Sequence, residues 1–122
     1  MSAVPYKHLR LKRDDDIMLV ELTCSDVQGP ERSKEFCAEL LAVASQEWGK
    51  PLLLNLHRAC YFSSMGLAAI FKMVKQAKEH ERPVKICNIH PDVRVGAELV
   101  GLHRVVEIYD SEEAALKSFA NA

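Results

Sequence analysis

The stretch LLLNLHRACYFSSMGLAAIF, residues 52–71, constrains the fold more than any other part of the chain. Its first five residues are apolar except for Asn55. A strand with one wet face alternates apolar and polar side chains, whereas a strand covered on both faces does not. Residues 52–56 therefore predict a central strand with structure packed on either side. After a short loop, Leu67, Ile70, Phe71, Val74 and Ala77 recur at helical spacing, with Lys72, Lys75, Gln76 and Glu79 on other faces. A doubly covered strand feeding an amphipathic helix is the building unit of an α/β sheet.

The flanking segments extend that pattern. Residues 7–12 alternate, with Leu9 and Leu11 between charges, which suits an edge-type strand. Asp14, Asp15 and Asp16 mark a turn, and residues 17–22 form a second strand, so the two pair antiparallel. Residues 25–30 have loop composition, and Pro30 suits the first position of a helix. Phe36, Cys37, Leu40, Leu41, Ala44 and Trp48 continue that helix until Gly49 and Pro51. Residues 83–89 predict a strand. Pro91 opens a helix that Gly101 closes, and residues 104–108 predict a last strand. Asp110 with Glu113 reads as a capping box for a final helix reaching Phe119. The expected fold is a single α/β domain over residues 1–122, its mixed sheet carrying an N-terminal antiparallel pair and helices packed against it. Leu53, Leu54, Leu67, Ile70, Phe71, Val74, Ile86, Val105 and Ile108 are the expected core.

Charge and cysteine usage narrow the function. The 16 basic and 17 acidic residues leave a net charge of -1, so no global field favours nucleic acid or a membrane surface. The basic run 7–13 is followed at once by three aspartates and reads as a solvated strand face. The N-terminus has no apolar signal-peptide core and no stretch approaches a membrane span. Cys24, Cys37, Cys60 and Cys87 form no CxxC pair and read as reduced thiols in cytosol. His57 and Cys60 make a lone HxxC, too few ligands for a metal, and no cofactor is implied. Cys60 with His57, His90 or His103 offers a nucleophile and base. The sequence shows no oxyanion hole or third orienting group, so no catalytic residue is assigned.

The remaining candidate is the corner where the loop becomes the helix, Ser63-Ser64-Met65-Gly66-Leu67. In open α/β sheets, ligand and partner sites gather where strand ends meet helix N-termini. A serine there is a plain helix cap. If phosphorylated, it would place a phosphate against unpaired N–H groups and the positive end of the helix dipole, but the residues alone favour the plain cap. Gly66 lets another backbone or a phosphate approach closely.

FSSMGL resembles the signature of the STAS family, which includes anti-sigma-factor antagonists and stress-signalling proteins. The resemblance extends to KEFCAELLAVASQEWGKPLLLNL and to the C-terminal half, from KMVKQAKEHERPVKICNIHP through AELVGLHRVVEIYDSEEAALKSF. It covers nearly the whole chain. By position it makes Ser64 the phospho-acceptor, with Ser63 the alternative one residue out of register. The partner-binding surface it implies comprises Ser63, Ser64, Met65 and Gly66, with Lys72 beside them. Many members carry Asp where this chain has Ser63 and Asn55, and a small polar residue where it has Met65.

What the resemblance implies is a bacterial, cytoplasmic partner switch that performs no chemistry itself. The unphosphorylated protein binds an anti-sigma factor that is also a serine kinase, phosphorylation of Ser64 breaks the complex, and a phosphatase restores it. Neither nucleic acid nor a membrane is an expected partner, and the oligomeric state stays open. The alternative, suggested by the absent acids, is a STAS scaffold or ligand-binding module that is not phosphorylated.

Overall fold

The computed structural model describes residues 6–45 and 51–120. Its first elements are the expected hairpin, β1 (Leu9–Asp14) and β2 (Ile17–Leu22), paired antiparallel. Asp15 takes a positive φ of 56° in the turn, a conformation that aspartate tolerates better than most residues. There follow β3 (Asp26–Val27), α1 (Pro30–Ala44), β4 (Leu52–Asn55), β5 (Tyr61–Phe62) and α2 (Ser64–Glu79). The chain continues through β6 (Val84–Cys87), α3 (Pro91–Leu99), a 3-10 turn at Leu102–Arg104, β7 (Glu107–Tyr109) and α4 (Glu112–Ala120). Trp48 and Gly49, expected to finish the first helix, lie outside the described residues.

Five strands form one sheet in the order β1-β2-β4-β6-β7, with every pair after the hairpin parallel. β4 is central, as its composition predicts, and all four of its residues are buried. Side chains alternate across it. Leu52 and Leu54 join Val20, Leu22 and Ile86 in the larger core, under α1, α2 and α3. Leu53 joins Leu19 and Cys87 in a smaller core on the other face, closed by Ala115 of α4 with Leu116 and Phe119. One helix thus covers one face and three cover the other.

Several expected features are corrected. Val105 is 39% exposed and lies outside the core, and Val106 is buried in its place. The cause is local. Gly101 adopts φ 80°, the chain coils into the 3-10 turn, and the amides of Arg104, Val105 and Val106 bond back to Gly101 and Leu102. Those residues cannot also join a strand ladder, so β7 starts at Glu107. Phe71 and Ile108 are half-buried against the core rather than within it. The cap of α4 is Ser111, whose Oγ accepts from Ala114 N at 3.1 Å, while Asp110 faces Arg94 at 3.5 Å. The supposed loop 25–30 holds β3, which pairs in parallel with β5.

Candidate functional site

The small β3–β5 pair builds the corner that carries the serines. Cys60 N donates to Ser25 O at 2.7 Å and Ser63 N donates to Val27 O at 2.8 Å. These bonds flank the two paired residues and fix the chain as it enters α2. The helix begins at Ser64, three residues before its apolar stripe starts at Leu67, so Ser63 is the N-cap. Its Oγ accepts from Gly66 N at 3.2 Å and lies 3.5 Å from Ser33 Oγ on α1. Ser63 is therefore an engaged, half-buried hydroxyl.

Ser64 is different. It is the first residue of α2 and is exposed. The amides of a helix's first turn have no intrahelical acceptor, and no acidic residue occupies this one. Met65 follows at 50% exposure. Gly66 is buried, and its reason for being glycine is contact rather than ligand access. A Cβ there would stand 3.0 Å from Val27 Cγ1, 3.1 Å from Phe62 Cδ2 and 3.1 Å from Val27 O. The structure thus brings Ser63, Ser64, Met65 and Gly66 into one corner. Lys72 is eight residues along α2, about 12 Å at the usual helical rise, and lines a separate groove.

Asn55 organises the neighbouring strand ends. It is 5% exposed. Its Nδ2 donates to Glu112 Oε1 at 2.9 Å, and its Oδ1 accepts from His57 N at 3.0 Å and Asn88 Nδ2 at 3.3 Å. His57 Nδ1 also lies 3.0 Å from that oxygen. Asn88 reaches it from a left-handed backbone, φ 58°. Neither Glu112 nor Asn88 is marked out by sequence, because the contacts span 57 and 33 residues.

The thiols are free and dispersed: Cys60 is exposed, Cys24 and Cys37 half-buried, Cys87 buried. Burial pushes the Cys87 thiol up to about 12, with the Glu112 and Glu21 carboxylates adding to the effect. Burial also raises Cys24, partly offset by Arg32. Among the described residues, no hydrogen bond joins Cys60 to His57, His90 or His103; His57 is held on Asn55, and His90 Nδ1 accepts from Asp92 N. No group of three or more His, Cys, Asp or Glu among those residues has the geometry to hold a metal ion. No helix among them is long and apolar enough to cross a membrane.

A parallel sheet extended by an antiparallel hairpin, with helices on both faces and a serine-capped helix entered from the small β3–β5 pair, defines the α/β class of the chain. The chain matches the STAS domain over residues 31–115 and belongs to that family. It is 29% identical over 82 residues to a Bordetella bronchiseptica protein that bears the name anti-sigma factor antagonist BtrV, which covers 67% of this chain and 71% of that one. Among solved structures, an anti-sigma factor antagonist of Thermotoga maritima superposes with a TM-score of 0.76 at 21% identity, over 90% of this chain and 92% of that one. SpoIIAA of Bacillus, in its phosphorylated form, superposes with a TM-score of 0.67 at 14% identity, over 91% and 98% of the two chains. At such identities the structural likeness establishes the fold alone.

Proposed function

We propose that the chain is an anti-sigma-factor-antagonist-type partner switch controlled by phosphorylation of Ser64. The observation that carries this reading is the division of labour between the two serines. Ser63 Oγ is occupied as the cap of α2, whereas Ser64 is exposed at the first helical position. A kinase can reach that hydroxyl without unfolding anything, and a helix N-terminus tolerates the resulting phosphate. Ser63, Ser64, Met65 and Gly66 form the docking corner, with Met65 as an adaptable apolar contact. A dianion introduced into such an interface without a cationic partner costs desolvation and repulsion. Tenfold weakening needs only about 1.4 kcal/mol. The partners on this reading are an anti-sigma factor with serine-kinase activity and a phosphatase. The name of the Bordetella relative and the existence of a phosphorylated SpoIIAA with this fold both support it.

A second reading, a STAS scaffold that is never phosphorylated, is favoured by one observation. The first turn of α2 has no acid, and Asn55 is committed to internal bonds. Phosphopeptide mass spectrometry on the protein from its own cells separates the two. Phosphate on Ser64, lost in Ser64→Ala and kept in Ser63→Ala, is the expected result. Phosphate on Ser63 alone shifts the acceptor by one residue, and none under any growth condition leaves the scaffold reading in place.

A further inference from the structure

A groove of about 350 Å³ runs beside the C-terminal half of α2, lined by Phe71, Lys72, Val74, Lys75, Lys78 and Val105. Its floor is apolar: Val74 is buried, Phe71 half-buried, and Val105 forms the far wall from the 3-10 turn side. Its rim is basic. Lys72, Lys75 and Lys78 recur every third residue, so their stems leave the helix at steps of about 4.5 Å. None of the three makes an ion pair among the described residues, whereas Lys7 and Lys85 each hold a carboxylate. With the whole chain at a net charge of -1, this row is a local asymmetry and not general basicity.

We propose that the groove docks an acidic amphipathic helix from a protein partner. Helix-in-groove recognition needs apolar anchors for a shallow channel and complementary charge along its edge. A helix carrying Glu or Asp at every third or fourth position presents carboxylates at steps of about 4.5–6 Å, matching the lysine row. A single-headed fatty acid would satisfy one lysine and leave two. A bilayer is a poorer match still, because Val74 is buried and Phe71 half-buried while the three lysines are exposed, so the apolar side chains are not the outermost ones. The groove begins about two helical turns from Ser64, so the proposal stands whether or not that serine is modified.

The test is a titration of the isotope-labelled chain, followed by amide NMR, with a synthetic helical peptide of about five turns. The peptide carries leucines at i, i+3, i+4 and i+7 spacing and glutamates beside them. Shifts confined to residues 71–78 and 105 are expected. Affinity should fall at least about tenfold in the Lys72→Glu, Lys75→Glu double variant. It should also fall in Val105→Asp and with rising salt, as screening shortens the reach of the lysines. Both variants change exposed side chains, and the dispersion of their spectra reports their folding directly. Ser64→Asp should bind as wild type does, which separates this surface from the switch. Three results overturn the proposal. They are no shift at millimolar peptide, equal binding of the same peptide with lysine for glutamate, and groove shifts caused by decanoate or phosphatidylglycerol vesicles but not by the peptide.

Discussion

Asn55 Nδ2 donates to Glu112 Oε1 across 2.9 Å, tying the end of the central strand to the first turn of α4. The bond joins two elements 57 residues apart and leaves Asn55 Oδ1 free to hold the following loop through His57 and the β6 end through Asn88. An amide fits here and a carboxylate does not, because only the amide offers a donor to Glu112 as well as an acceptor to the amide hydrogens.

Asn55→Asp is therefore expected to destabilise the fold by about 1–3 kcal/mol, from lost bonding and like-charge contact in a buried place. Adding Glu112→Gln to that variant should recover much of the loss, since the glutamine amide can donate to the new carboxylate. Urea unfolding of the two single variants and the double variant measures the coupling.

Ser63 and Ser64 should separate in stability as well as in modification. Ser63→Ala removes the acceptor for Gly66 N and should cost about 0.5–2 kcal/mol. Ser64→Ala lies at an exposed first helical position and should stay within about 0.5 kcal/mol of wild type. Equal losses in thermal melts would show that the cap has been assigned to the wrong serine.

Gly66→Ala places a methyl group against Val27 and Phe62 at about the closest distance real contacts reach. The backbone carbonyl of Val27 cannot rotate away as a side-chain tip can. A loss of about 1–3 kcal/mol is expected from overpacking, with amide shifts spreading into β3. A neutral result in the same melts would mean that the corner is softer than its bonding suggests.

Acid pH should expose the role of Glu35. Hydrogen bonds from His8 and then Lys7 hold its carboxyl below the usual carboxylate range. A depressed folded value contributes stability above the ordinary pKa of about 4.5, and that contribution is lost as pH falls through the folded value. As pH falls below about 4.5, the urea midpoint of wild type should thus drop further than that of Glu35→Gln. Parallel pH profiles for the two proteins would remove this carboxylate from the account of acid sensitivity.

Those particulars also show what a sequence can carry. The central strand was legible because Leu52, Leu53 and Leu54 leave no polar face, and α2 because Leu67, Ile70, Val74 and Ala77 repeat at one period. Both signals are local. Val105 misled because an alternating valine pair looks like strand until the positive φ of Gly101 turns the chain. β3 was hidden because two residues have no periodicity, and its pairing depends on β5, far along the chain. The last cap was offset by one because Asp110 and Ser111 are both good cap residues, and the contact of Asp110 with Arg94 belongs to tertiary structure. At the candidate site, the corner 63–66 was visible as a loop-to-helix junction. The roles of its two serines were not, since they depend on where the first turn closes.

The zipper between β3 and β5 bears on how fast this protein could pass on a signal. Ser64 follows a residue whose amide is bonded to Val27 O and whose hydroxyl is bonded to Gly66 N. A corner tied on both sides favours a group added at Ser64 acting through its charge and bulk where it stands. On the switch reading, information would then be stored as charge on a fixed relief, read by whatever docks there. Response time would then belong to the modifying enzymes and to the lifetime of the complex.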